Sequence, residues 1–525
     1  MSLFFNAQSN SQLSEGFLSR PDLTLSESLA ALSSSLRPLM RRYNIRAEFS
    51  KVHDGLVILD ATKNKTAAYK IRGALASTYV AKQQGCESVW TASAGNHGAG
   101  VAMAANLLGM GATVYVPETA PRVKVRNIEG FGARVVMTGA TFDECLANAS
   151  ERQKLTSDNS TFVHPFDDRI VAAGQGTLGL ELFDHLRNAL REQSFSSVRL
   201  FVPVGGGGLI SGMASTLRAL WNDSLPPLQI IGVVDESSPA ALVGTLFGRP
   251  VAALPDTIAD GTRVAQVGQT FLSVAPLIDF IMPVPHDALV NTMRRHFHRT
   301  KEALEPSGVL ALTGEALARR YALLPKTKTS LHYAVLSGRN VDDPTFQAVT
   351  CEPARRCDRS YSRIAYQVRI PEQDGELLRF LITVSGFNIA SLTYKQRSGN
   401  PLGDLQVEFD VRNSEAAELH DQLVGQFRQS VMLPSARRLL FPVGEPVAQH
   451  YRDELITLED RPGSFKDYIQ SLHDSRTLGS VGFLFYRQPA QQGSKSQVVI
   501  GRAPRSPLLE CTDQPLGYKL MSRDT

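Results

Sequence analysis

"VPVGGGGLISG", residues 202–212, places four consecutive glycines after the apolar run 198–204 and ahead of a segment with helical spacing. Glycine permits close backbone approach and positive φ, so such a turn offers consecutive N–H groups and a helix N-terminus to an anion. The loop alone does not say which anion. No Lys-Ser/Thr pair follows the glycines, which disfavours a nucleoside triphosphate. The spacing also misses G-x-G-x-x-G. The looser set Gly206, Gly208 and Gly212, with Asp235 ending the next strand, still keeps a dinucleotide site in view. A tight turn that merely needs small residues is the plain alternative.

Around this loop, short β-rich runs alternate with longer helical patterns from about residue 40 to 345. "ESVWTAS", "ATVYVPE", "ARVVMTG", "VRLFVPV", "LQIIGVVDE" and "HYAVLSG" read as strands, and "GAGVAMAANLLGM" as a helix. The alternation predicts an α/β fold with a parallel-sheet core. Three Gly- or Ser-rich turns, "SAGNHG", "GGGG" and "SGRN", fall at strand C-termini, where ligands gather in such sheets.

Two further stretches carry candidate chemistry. In "NKTAAYKIRGALAS", Lys70 stands just ahead of a helical pattern among small and apolar neighbours. A buried lysine readily loses its proton, and the neutral amine attacks aldehydes. In "TASAGNHGAGVA", Ser93, Ala94, Gly95, Asn96 and His97 join a strand to a helix, where hydroxyl, amide and N–H groups converge on a carboxylate. His97 is a candidate general base, though a hydrogen-bonded structural histidine is the commoner role for a helix-start His. Ser337 ends the last strand and could donate to a ring nitrogen.

The composition bounds the classes. With 525 residues, 43% hydrophobic, the chain is long enough for about three or four domains. A net charge of +4 with 20% charged residues argues against a polyanion-binding surface, and the basic cluster Arg294–Arg299 reads as a solvated helix face. Five scattered cysteines (Cys86, Cys145, Cys351, Cys357, Cys511) suit a reducing compartment and support no metal site. No apolar run approaches the roughly 20 residues of a membrane span, and the opening lacks the pattern of a secretory signal. The expectation is a cytoplasmic protein with no membrane or nucleic-acid partner and a loose, Ser-rich segment over 1–36, with a transit peptide as the alternative reading of that segment.

After "SGRNVDD" the texture changes. "YQVRIPEQDGELLRFLITVSGFNIASLTYKQRS" and "ELITLEDRPGSFKDYIQSLHDSRTLGSVGFLFYRQPA" echo each other as strand, acidic-Gly turn, helix and strand, with Gly375 matching Gly463 and Tyr394 matching Tyr486. The echo predicts a tandem pair of small α+β modules, over 346–435 and 436–525, behind a main domain over 37–345; chance likeness of two ordinary βαβ-like stretches is the alternative.

Taken together, "AAYKIRGA", "SAGNHGAGVA", "VPETAPRVKVRNIEGFGARVV", "HPFDDRIVAAGQGTLGLEL", "VPVGGGGLISG", "TIADGTRV", "EPSGVLAL" and "LSGRN" resemble the fold type II pyridoxal-phosphate enzymes, and within them the threonine/serine dehydratases, over about residues 45–340. The resemblance implies a two-subdomain, tryptophan synthase β-like catalytic domain carrying pyridoxal 5'-phosphate on Lys70. It implies that Gly205, Gly206, Gly207, Gly208 and Leu209 surround the phosphate, that Asn96 contacts the ring hydroxyl and Ser337 the ring nitrogen. Ser93 to His97 would receive the substrate carboxylate. The activity implied is β-elimination of L-threonine, with L-serine as a second substrate, to a 2-oxo acid and ammonia. The C-terminal repeats resemble the ACT-like regulatory modules of the long biosynthetic members, which bind isoleucine or valine and serve isoleucine biosynthesis; that family also implies a homotetramer. Competing readings are a β-replacement or serine-preferring enzyme of a specialised pathway, and a catalytically silent amino-acid sensor.

Three positions depart from the family pattern. Ala68-Tyr69 replaces Ser-Phe before the lysine, Arg339 replaces the second glycine of the last motif, and "EFSKVHDGLVILDATKNK" stands where Thr-Pro-Leu is usual. Arg339 is expected to bring charge near the ring.

Overall fold

The computed structural model describes residues 24–351 except 54, 156–158, 254, 256, 321–323 and 325–328, and beyond 351 mainly 361–371, 376–384, 387–395, 402–412, 414–427, 431–433, 441–442, 452–458, 481–487, 496–502 and 519–521. Strands β3 (Ser88–Ala92), β4 (Gly111–Val116), β5 (Arg134–Met137) and β6 (Ser160–Phe162) form a small parallel sheet in the order β5-β4-β3-β6. A larger sheet runs β1-β2-β10-β7-β8-β9-β15, built from β1 (Glu48–His53), β2 (Leu56–Asp60), β7 (Ser197–Pro203), β8 (Leu228–Asp235), β9 (Phe280–Val284), β10 (Ser330–Leu336) and β15 (Phe441–Pro442). It is parallel from β2 to β9 and antiparallel at both edges. β3, β4, β5, β7, β8 and β10 coincide with the apolar runs quoted above.

Helices connect the strands of this two-subdomain α/β fold. They are α1 (Leu25–Arg42), α2 (Ile71–Gln83), α3 (Asn96–Leu108), α4 (Arg122–Gly130), α5 (Phe142–Leu155), α6 (Arg169–Glu192), α7 (Gly208–Leu220), α8 (Ala240–Phe247), α9 (Gln269–Val274), α10 (His286–Thr300), α11 (Pro306–Arg320) and α12 (Asp343–Cys351). Val198, Leu200, Val202, Ile210, Met213 and Leu217 are fully buried where α7 covers the large sheet.

The expected loose segment over 1–36 is corrected from residue 25 onward. Leu29, Leu32, Leu36, Leu39 and Met40 recur at helical spacing and are buried. A capping box starts α1, with the Thr24 side chain taking the Glu27 N–H and Glu27 taking that of Thr24. The serines that suggested a loose chain are satisfied on the helix: Ser33 Oγ donates to Leu29 O (2.8 Å) and to Ala173 O (2.9 Å), and Ser34 and Ser35 bond carbonyls of the preceding turn.

α1, α6 and α7 pack together through glycines. A Cβ on Gly176 would stand 2.1 Å from Ser33 Oγ, and one on Gly212 would stand 1.9 Å from Ala172 O. Gly212 therefore serves helix contact and not a cofactor fingerprint. Asp235 is equally spent: it is fully buried, taking the Ser237 N–H (2.7 Å) and the Thr257 hydroxyl (2.8 Å), so no ribose partner remains and the dinucleotide option lapses.

In the C-terminal region, β11 (Tyr361–Pro371), β12 (Asn388–Lys395), β13 (Leu402–Arg412), β14 (Val431–Leu433), β16 (Arg452–Leu458), β17 (Val481–Arg487), β18 (Ser496–Arg502) and β19 (Lys519–Met521) make one sheet, β14-β11-β13-β12-β17-β18-β16-β19. Helices α13 (Glu376–Thr383) and α14 (Ala416–Gln426) bury Phe380, Leu381, Leu419 and Leu423 in a core with Tyr366, Val407 and Phe409. The matched strands of the two sequence repeats meet at the centre, with Leu392 opposite Tyr486 and Tyr394 opposite Leu484. Since Tyr394 corresponds to Tyr486, this register is self-complementary, an internal two-fold about Thr393. Gly375 and Gly463 lie outside the described residues. No helix among the described residues is long and apolar enough to cross a membrane.

Replacing Gly212 by alanine should force α6 and α7 apart and lower unfolding stability by about 2 kcal/mol, within the overpacking range. A lower urea midpoint for the α/β unit is the expected measurement, while Gly425→Ala, with open space around it, should be neutral.

Candidate active site

Lys70 occupies the N-cap position of α2, one residue before the helix begins. The segment leading to it is held as a short strand-like splice against the end of β10: Ala68 bridges Gly338, Tyr69 N–H donates to Ser337 O (3.1 Å) and Arg339 N–H to Ala67 O (3.0 Å). Lys70 Nζ donates to Pro165 O at 2.7 Å and lies 5.4 Å from the centre of the Tyr69 ring. Loss of hydration depresses its pKa to about 8, against a smaller opposing pull from Glu305.

The next residue, Phe166, is the floor of the glycine loop. A Cβ on Gly206 would stand 2.2 Å from the Phe166 ring, and Gly207 adopts φ +95°, so side chains are excluded here. The N–H groups of Gly205 to Leu209 reach no acceptor among the described residues, although Gly206 to Leu209 are buried. Buried donors without partners are rare. Their grouping at the start of α7, where the helix dipole is positive, fits a bound phosphate. The Leu209 side chain is in the core and offers only its backbone. Pro165–Phe166 thus brings the amine and the cradle to two sides of one corner.

Ser93 to His97 lie where β3 meets α3. Gly95 is the N-cap, its N–H bonded to Ser93 Oγ at 3.2 Å, and the free N–H groups of this helix start suit a carboxylate. The His97 side chain does not join them, although its backbone N–H is one of these donors. It is buried, its Nε2 bonds Val163 O (2.9 Å), and burial drives its pKa down to about 3. The candidate base is a neutral residue anchored in the small sheet. Ser337 is buried, and its hydroxyl donates to Ser307 O at 3.1 Å.

Two residues emerge without prior assignment. Glu305 is 8% exposed, accepts from Asn96 Nδ2 at 2.7 Å, and burial lifts its pKa to about 7. Asn340 Nδ2 donates to Asn96 Oδ1 at 2.7 Å and to Thr66 O at 2.8 Å. Both belonged to quoted motifs, "EPSGVLAL" and "SGRN", but the facing of their side chains depends on chain segments that are remote in sequence.

Arg339 carries no free charge to the ring. Its guanidinium donates to Asp60 (2.6 Å) and Glu302 (3.0 Å) and bonds Thr62, while Lys63 holds Glu302 at 2.9 Å. The unusual segment before Lys70 therefore supplies the carboxylate that this unusual arginine requires. On the small subdomain, Lys124 of α4 reaches Asp260 (3.1 Å) and Asp342 (3.9 Å) of the large one. No group of metal-ligating side chains occurs among the described residues.

The family described as "Pyridoxal-phosphate dependent enzyme" matches residues 42–332. An L-threonine ammonia-lyase of Geobacter sulfurreducens is 35% identical over 67% of this chain and 84% of its own length. A biosynthetic L-threonine dehydratase of Burkholderia multivorans is 31% identical over 83% of each chain. The crystal structure of a T.th. threonine deaminase superposes with a TM-score of 0.51 at 34% identity, covering 61% of this chain and 99% of the other.

In cofactor-free protein, reductive labelling by a small aromatic aldehyde should concentrate on Lys70. Only the neutral amine reacts, so labelling should rise as the pH passes about 8 and then level off. Exposed lysines should keep rising toward their ordinary pKa of about 10.4. Peptide mapping across pH 6–10 reads both.

Proposed function

This chain belongs to the pyridoxal-phosphate dependent enzymes, and on that footing we propose that it is a biosynthetic L-threonine ammonia-lyase, converting L-threonine to 2-oxobutanoate and ammonia for isoleucine synthesis. Its cofactor is pyridoxal 5'-phosphate. The observation that carries the reading is the Pro165–Phe166 corner, which holds a desolvated lysine amine on one side and a cradle of unpaired N–H groups on the other.

When bound, the cofactor supplies a sink for the electrons left behind when the substrate loses its α-proton. The chain does the rest. Gly205 to Leu209 bind the phosphate through backbone N–H groups. Lys70 Nζ holds the cofactor aldehyde and afterwards, as a neutral amine, takes the α-proton. Ser93 to Asn96 receive the substrate carboxylate at the start of α3, and Ser337, whose hydroxyl otherwise donates to Ser307 O, would turn it to the ring nitrogen. A serine there does not force a proton onto the ring, which favours prompt departure of the β-hydroxyl. His97 supports the wall of this pocket and transfers no proton.

The same reading gives the regions 346–435 and 436–525 a regulatory task, binding isoleucine or valine, in a homotetramer of the cytoplasm. The self-complementary seam between β12 and β17 supports paired modules.

Supplied with pyridoxal 5'-phosphate and L-threonine, the protein should release 2-oxobutanoate, and Lys70→Ala should lower kcat at least a thousandfold. Absence of a 2-oxo acid from cofactor-loaded protein would overturn the assignment. Recovery of a substituted alanine on adding a nucleophile would point to β-replacement instead.

A further inference from the structure

The amide of Asn96 has two possible orientations, and its neighbours permit one. Thr66 O is a backbone carbonyl and can only accept, so the Asn340 amide must turn its nitrogen there (2.8 Å). The second hydrogen of that nitrogen then goes to Asn96, at 2.7 Å, which obliges Asn96 to present its oxygen. Asn96 Nδ2 is thereby directed to Glu305 Oε1, again 2.7 Å. A flipped Asn96 would set oxygen against carboxyl oxygen and NH2 against NH2.

Glu305 is itself fixed. Its N–H bonds Gly338 O (3.3 Å), and its carboxyl fills the space where a Gly338 Cβ would be, 1.7 Å from Oε1. The glycine of the last motif is thus needed to admit the carboxyl that ends the relay.

Resting on the assignment of this site to pyridoxal phosphate, we infer that Glu305 and Asn340 are positioning residues: the relay Thr66–Asn340–Asn96–Glu305 locks the Asn96 amide so that an N–H, and not the carbonyl oxygen, faces the ring hydroxyl of the cofactor. Of the two hydrogens on Asn96 Nδ2, Glu305 takes one and the other is left for the ring. A donor at that point favours the ionised hydroxyl; an acceptor would favour the protonated form. Glu305 therefore sets the ionisation of the ring hydroxyl without touching it.

Three variants of the cofactor-loaded full chain test this: Glu305→Gln, Glu305→Leu and Asn340→Ala. Glutamine still accepts from Asn96, so Glu305→Gln should keep the wild-type balance of long- and short-wavelength cofactor absorption, which reports the ionisation of the hydroxyl. Glu305→Leu should shift that balance toward the short-wavelength band and weaken cofactor binding roughly tenfold, the worth of about one hydrogen bond. Asn340→Ala, which introduces no apolar group beside a buried carboxyl, should move the spectrum the same way and covers the case in which the leucine variant does not fold. A wild-type spectrum and affinity in both Glu305→Leu and Asn340→Ala would overturn the inference, as would a glutamine variant that behaves like leucine. A wild-type protein that acquires no cofactor band at all would refute the cofactor assignment instead, and the two failures are distinct.

Discussion

A primary amine is a useful nucleophile near neutrality only if its ammonium form is poorly solvated, and most of the catalytic domain can be understood as the means of keeping Lys70 out of water. The desolvation comes from convergence: the segments that follow β3, β6 and β10 meet the Lys70 segment at one place. Among the described residues the amine bonds a carbonyl, Pro165 O, which does not need the positive charge. Glu305, the nearby acid, is itself buried enough to resist ionisation. Were it fully charged, it would hold the lysine as ammonium and oppose the chemistry.

The parts of this arrangement visible in the sequence are those written over short spans. The glycine loop, the Lys70 segment and the Ser93–His97 turn each combine small residues with a helix start within about a dozen positions, so their candidacy was legible. The C-terminal repeat was legible because its two halves resemble each other. What was hidden depended on distant partners. Whether His97 is a base or a wall residue is decided by Val163 O, 66 positions away. Glu305 meets Asn96 across a separation of 209. The serines of α1 suggested a loose chain because composition does not reveal that their hydroxyls close onto helix carbonyls and onto α6.

Arg339 shows how two irregularities explain one another. Alone, an arginine in a motif that expects glycine looks like added charge, and the segment around Asp60 looks like a mere departure from Thr-Pro-Leu. In space they are partners: Asp60 is 4% exposed, and without that guanidinium it would keep only Thr62 and a more distant Lys63 at 3.9 Å. Glu302 and Lys63 complete the cluster, three positions ahead of Glu305.

The self-complementary seam in the C-terminal sheet has an implication for fragments of this chain. β12 is an interior strand only because β17 covers it. A protein ending after the first module would present β12 as a bare edge with a row of unmet backbone donors and acceptors. The register that matches β12 to its internal counterpart is two-fold, so a second truncated copy offers an edge of the same form in the orientation required. Shortening the chain would therefore exchange an intramolecular joint for an intermolecular one, and proteolysis in the second module would register as association as much as loss of mass.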